Sequence, residues 1–343
     1  MALNLGKPAD MHVHLRDGAM KELVTPTVRS GGVSVCFVMP NLVPPLINVA
    51  DVLKYQQSLE AIEPRVKYLM SLYLCKEITP EVIIAAKKAG ITGVKCYPAG
   101  VTTNSDHGVS SYEPFYATFA EMEKQDMVLN LHGECPSGCG ITVLNAEEKF
   151  LPTLELLHTK FPNLRIILEH CTSAAAVEAV KKCGPTVAAT ITAHHLFLTV
   201  DNWGGSAYNF CKPVAKLPSD RDALIAAATG GDPKFFFGSD SAPHPLEAKT
   251  RGSGAAAGVF TQSHAIAYVA EIFDKAGCMD KLKGFVTDHG KQFYKVNDKD
   301  LSPGEVLLVR RESKVADSLK SGSLEVVPFL PGETLKYSVE WTE

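Results

Sequence analysis

The sequence predicts an α/β fold, a (β/α)8 barrel of the TIM type with C-terminal helical and extended appendages. Three observations lead there. Short apolar, β-branched runs alternate with stretches of helical spacing, the pattern of parallel β-α-β units. The runs are apolar almost without a break, as strands covered on both faces are. Run after run also ends in a reactive side chain, and a barrel gathers the C-terminal ends of its strands at one mouth. An open doubly wound sheet would gather only the residues near its switch point.

The runs are, in order, 11–15, 33–39, 67–74, 93–97, 127–132, 165–170, 186–192 and 235–239. Eight runs suit eight barrel strands. Helical spacing occupies 49–61, 80–89, 113–124, 151–160, 174–182 and 220–228 between them. The alternation stops after residue 260: 262–275 and 281–294 read as helices, and 307–310, 324–329 and 334–341 as extended pieces. These are appendages to the barrel. The 343 residues are therefore read as one domain, with the barrel over about 9–260 and the appendage over about 261–343.

Composition removes several classes of function. The formal net charge is −4 and the lysines and arginines are scattered, so no basic tract addresses nucleic acid or an anionic membrane. No window approaches the ~20 apolar residues of a membrane span. The opening MALNLGKPADMHVHLRD lacks the apolar stretch and cleavage pattern of a secretory signal. The nine cysteines, odd in number and irregular in spacing, read as reduced thiols of a cytoplasmic protein rather than a disulfide framework.

The chemistry begins at His12-Val13-His14. Residues two apart on a strand share a face, so His12, His14 and Arg16 are expected to point the same way, into the barrel. Two adjacent imidazoles can chelate a divalent metal, although alone the pair is equally two strand histidines satisfied by hydrogen bonds. His132 and His170 each end a further apolar run, and Asp240 follows the Phe-rich eighth. A carboxylate there is costly unless paired or metal-bound. Four histidines from three strand ends and an aspartate from a fourth make a zinc-type set. Lys95 stands between apolar neighbours and is also expected to face inward. Its ordinary reading is a snorkelling or salt-bridged lysine. The alternative is a neutral amine that adds carbon dioxide, giving a carbamate able to bridge two metals ~3.5–4 Å apart.

Taken together, HVHLRD, MPN, GVKCYPAGVTTNSDHGV, LNLHGE, LEHCTS and GSDSAPH resemble the amidohydrolase superfamily and, within it, the short stand-alone dihydroorotases of pyrimidine synthesis. The tail VPFLPGETLKYSVEW is similar to the C-terminus of that type. The resemblance implies two zinc ions per chain. One is held by His12, His14 and Asp240, the other by His132 and His170, with carboxylated Lys95 bridging them. It implies that Asp240 shuttles a proton while the cyclic amide of dihydroorotate is opened to carbamoyl aspartate. It places Arg16, Asn41 and His244 on the substrate carboxylate, and Thr102 and Thr103 on a mobile loop, 98–107, that closes over the substrate. Backbone contacts are implied at Lys212 and Ala257, and a homodimer as the assembly. Lys212 departs from the pattern, which carries an apolar residue there, and 247–258 is one residue longer than the pattern, which blurs the register at Ala257.

Paired divalent ions set against Asp240, a carbamate and hydroxide leave a positive remainder, which favours an anionic substrate. Arg16 adds a fork suited to a carboxylate. Arg16, Asn41 and His244 together argue against the neutral rings of a hydantoinase or allantoinase. The complete ligand set argues against an inactive scaffold homologue. His194 and His195 end the seventh run, where at most one can approach the site, and are given no metal role; Cys135 and Cys139 are read as a loop.

Overall fold

The computed structural model describes residues 2–342. Eleven strands organise the part of interest: β1 Ala2–Gly6, β2 Ala9–Val13, β3 Val35–Val38, β4 Lys67–Leu69, β5 Ser71–Tyr73, β6 Gly93–Cys96, β7 Val128–Leu131, β8 Arg165–Leu168, β9 Val187–Ile191, β10 Phe235–Phe237 and β11 Val306–Val309. β2, β3 and β4 form one parallel sheet, and β5 to β10 a second in chain order. Helices connect the strands, so the fold is mixed α/β with parallel sheets, as the alternation requires. The end of β2 meets the segment after β10 through a parallel bridge, Val13 to Ser241. There Asp240 N donates to His12 O at 2.8 Å and His14 N to Ser241 O at 3.0 Å.

The strands alternate between two apolar environments. Cys36, Leu129, Ile166, Ala189 and Phe237 pack outward beneath the helices. Phe37, Val128, Ile167, Ala188 and Phe236 pack inward with Met11, and Tyr294 and Leu301 close that inner cluster. The same alternation carries Lys95, Asn130 and Thr190 inward, one layer nearer the strand ends. A register shift between Asp10 and Val13 interrupts it in β2.

Several boundaries differ from the sequence reading. Run 67–74 is two strands, because the chain changes partner at Met70: β4 pairs with β3 and β5 with β6. β2 stops at Val13, and Arg16 has φ 59°, so strand alternation does not reach Arg16. The helix expected over 151–160 begins earlier, at Ala146, with Glu147 and Glu148 favouring its first turn. The stretch 281–294 contains a π-turn, Gly284–Asp288, before the α-helix His289–Tyr294. His194 and His195 lie on a short helix, Ala193–Phe197, not on a strand; Thr192 caps it by accepting from His195 N at 3.0 Å. β1 was not anticipated at all. It pairs antiparallel with β11, which pairs in turn with Ser338–Trp341. Among the described residues, no helix is long and apolar enough to cross a membrane.

Candidate active site

The strand ends converge on a small enclosed cavity of about 20 Å³. Every residue given a site role from the sequence lines it except Lys95 and His244; Tyr97, Ala242 and Gly258 complete the wall. Gly258 is needed for this approach. Its φ is +153°, and a Cβ there would stand 2.5 Å from Ala242 O.

His12, His14 and Asp240 form the floor. Asp240 Oδ1 lies 3.2 Å from His12 Nε2 and 3.1 Å from His14 Nε2. The other nitrogen of each ring is taken: His12 Nδ1 is 2.8 Å from Glu169 Oε2, and His14 Nδ1 is 2.9 Å from Asn41 Oδ1. Both Nε2 atoms therefore face the carboxylate. His170 stacks within 5.0 Å of the His12 ring and 4.7 Å of the His132 ring, centroid to centroid. His132 Nε2 is fixed by Glu134 Oε2 at 2.8 Å. Three of these residues hold backbones that only a rigid surround tolerates: Arg16, His170 and Asp240 have φ of 59°, 42° and 45°.

Burial dominates the electrostatics. It lowers His14 to about 3, His170 well below the ordinary histidine value, and His132 in the same direction. Burial works against charge on His12 too, but Glu169 and Asp240 carry that ring upward. Burial would raise Asp240, yet His12 and His14 hold it well below the usual carboxylate range. Lys95 is 0% exposed, and its Nζ has no hydrogen-bond partner. Burial pulls its amine downward. His170 Nδ1 is likewise buried without a partner.

These orphaned donors fit a metal centre. His12, His14 and Asp240 offer ligand atoms within 4.8 Å of one another, and neutral imidazoles with a carboxylate are a zinc-type donor set. His194, His195 and Cys211 also lie that close together. Two of the three are committed, though both ring nitrogens of His194 are buried without a partner: His195 contacts Thr192 Oγ1 at 2.9 Å and Pro213 O at 3.0 Å. Cys211 Sγ donates to Pro213 O at 3.2 Å, and burial pushes its thiol up to about 12.

Arg16 and His244 form the rim. Arg16 Nε donates to Pro243 O at 3.1 Å, and Arg16 Nη2 stands 3.2 Å from His244 Nε2. His244 Nε2 also approaches Ala257 O at 2.9 Å. Burial and the Arg16 charge lower His244 to about 3. The loop carrying Thr102 and Thr103 covers this rim. Asn41 Nδ2 donates to Thr103 O at 3.1 Å, Asn104 Nδ2 to Asn41 O at 3.0 Å, and Thr103 Oγ1 to Ala257 O at 3.4 Å. Lys212, singled out for its backbone, uses its side chain here: its ammonium donates to Val101 O at 2.8 Å. An outer cleft of about 720 Å³ shares Thr102, Thr103, Lys212 and Ala257 with the inner cavity, so the loop is the partition between them.

Sequence reasoning missed Tyr97, Glu134 and Glu169. Tyr97 stands two residues beyond Lys95, and its buried hydroxyl has no partner. Glu169 could have been found by the argument applied to Asp240, since a carboxylate ending an apolar strand needs a partner.

No family model matches the chain. It is 53% identical over 341 residues to the probable dihydroorotase of Schizosaccharomyces pombe, an alignment covering 99% of this chain and 100% of that protein. The crystal structure of dihydroorotase in complex with 5-fluoroorotic acid from Saccharomyces cerevisiae superposes with a TM-score of 0.97 at 48% identity, over 99% of this chain and 98% of that one. The L-hydantoinase of Arthrobacter aurescens shares the fold, with a TM-score of 0.81 at 17% identity over 97% of this chain and 82% of that one. With full-length identity of this order and a candidate metal cluster at its strand ends, the chain belongs to the dihydroorotases, metal-dependent hydrolases of cyclic amides.

Proposed function

We propose that the chain catalyses reversible hydrolysis of the cyclic amide of (S)-dihydroorotate to N-carbamoyl-L-aspartate, the ring-closing direction serving pyrimidine biosynthesis. The observation that carries this reading is the Arg16–His244 pair, 3.2 Å apart, on the rim of a cavity floored by His12, His14 and Asp240. It sets a carboxylate clamp beside a metal-type site. The yeast relative's complex with 5-fluoroorotic acid, a ring bearing a carboxylate, supports the same substrate class.

The two parallel sheets are read as one (β/α)8 barrel. Their chain-order pairing and the Val13–Ser241 bridge support closure between β2 and β10. The chain is then one domain, with 261–343 as its appendage. Of the two zinc ions in this reading, His12, His14 and Asp240 would hold one and His132 and His170 the other. Lys95, as its carbamate, would serve both; a buried amine without a partner supports that modification. When bound, the metals supply Lewis-acid polarisation of the amide carbonyl and a water of lowered pKa.

The chain's own residues do the rest. Asp240 takes the proton from the attacking water and returns it to the departing ring nitrogen, as general base and then general acid. Arg16, Asn41 and His244 bind the substrate carboxylate, and the backbones at Lys212 and Ala257 orient the ring. Thr102 and Thr103 close over it. The cavity of about 20 Å³ has room for little more than one water, which needs ~10–15 Å³ on the same measure, so substrate entry requires that loop to lift. Glu134 and Glu169 set two further carboxylates against the positive remainder of the metals, offset in part by Lys216, whose Nζ is 4.0 Å from Glu134 Oε1. The preference for an anion therefore rests on Arg16. We read the protein as a cytoplasmic homodimer; its nine free cysteines accord with a reducing compartment.

The test is turnover of dihydroorotate against hydantoin, with zinc content measured in parallel. Faster turnover of hydantoin would overturn the substrate. Less than one zinc per chain in carefully prepared protein, with no activity on zinc addition, would favour an inactive scaffold.

A further inference from the structure

We infer that Glu169 is a positioning residue for the metal centre, fixing the His12 ring so that its Nε2 lone pair faces the metal position. This rests on the reading of His12 as a ligand. Glu169 Oε2 lies 2.8 Å from His12 Nδ1, and both side chains are buried. An imidazole with neither nitrogen engaged can present either one. With its Nδ1 proton spent on the carboxylate, only Nε2 is left to donate a lone pair, and that atom stands beside Asp240.

The carboxylate is itself held on the far side. Thr190 Oγ1 donates to Oε2 at 2.6 Å, and Asn130 Nδ2 to Oε1 at 2.5 Å. Asn130 Nδ2 also lies 2.5 Å from the Tyr294 hydroxyl, which closes the inner apolar cluster. A buried polar layer thus ties β7, β9 and the helix His289–Tyr294 to one ring on β2. His14 is held differently, by the neutral Asn41 amide at 2.9 Å. A carboxylate partner raises the basicity of a ligating imidazole more than an amide oxygen does, so His12 is the stronger donor of the pair.

Full-length apoproteins carrying Glu169→Gln, Thr190→Val or His12→Ala should be titrated with zinc against a fluorescent chelator, beside wild type, with circular dichroism as a check on folding. Glu169→Gln is expected to weaken zinc binding by about tenfold to a hundredfold with the fold retained. Thr190→Val leaves the carboxylate but loosens it, and should weaken zinc binding by a smaller factor. Wild-type zinc affinity in folded Glu169→Gln overturns the inference. If that variant does not fold, unchanged affinity in Thr190→Val overturns it instead. Loss of zinc in His12→Ala without loss in Glu169→Gln defeats the positioning role alone. Undiminished binding in His12→Ala defeats the ligand assignment beneath it.

Discussion

The ammonium of Lys212 donates to the backbone carbonyl of Val101 at 2.8 Å, joining the segment before Pro213 to the loop over the cavity. A hydrogen bond from a charged group contributes about 1.5–3 kcal/mol, and this half-buried one belongs at the lower end. Lys212→Met should raise KM for dihydroorotate by roughly tenfold and speed proteolytic cleavage within 100–108. Steady-state kinetics and timed protease digestion check both. Wild-type values in each would mean that the loop closes without the lysine.

Removing the carboxylate between His12 and His14 should abolish turnover. Asp240→Ala is expected to lose at least the factor of about 10²–10⁴ that a general acid–base supplies. Zinc content should fall as well, because Asp240 sits among the ligand atoms. A variant turning over near the wild-type rate would sink the assignment of the proton shuttle.

The buried Lys95 amine should need carbon dioxide to complete the site. Apoprotein given zinc in carbon dioxide-depleted buffer should regain activity slowly, and bicarbonate should accelerate it. Labelled bicarbonate should enter the wild type but not Lys95→Met. Equal recovery with and without bicarbonate would argue against the carbamate.

Glu147 predicts a pH effect on stability. Its carboxyl accepts from Thr172 N at 2.9 Å, and burial pushes it up from 4.5 to about 7. The folded state therefore holds this proton more tightly than the unfolded chain. The resulting stabilisation is full below about pH 4.5 and is lost as pH rises through about 7. It amounts to about 3 kcal/mol at most. Glu147→Gln cannot lose it, so its stability relative to wild type should rise across that window in denaturant melts. A difference that stays flat with pH contradicts the buried acid.

What the sequence disclosed was governed by cost. Polar groups at the ends of apolar strands demand a partner or a metal, and that demand marked His12, His14, His132, His170 and Asp240 without coordinates. The resemblance added Asn41 and His244 and gave Arg16 its role; the meeting of the three on one rim depends on loop geometry that periodicity does not encode. Arg16 is instructive: it reaches the cavity, but from a left-handed backbone beyond the end of β2, so alternation gave a sound destination by an unsound route. The grip of Lys212 on Val101 was hidden because 111 positions separate the two residues and one partner is a backbone carbonyl. The break at Met70 was hidden because a change of hydrogen-bonding neighbour leaves no mark on apolar character.

The pairing of β1 with β11 has a consequence for synthesis. Asn4 and Glu305, which hydrogen-bond across this pair, lie 301 positions apart. At ~5–20 residues per second, the first strand waits on the order of 15–60 s after leaving the ribosome before its partner exists. Through that interval an unpaired edge is offered to any neighbouring nascent chain on the same message. Polysome spacing and early chaperone capture, rather than the stability of the finished enzyme, are then expected to set its soluble yield.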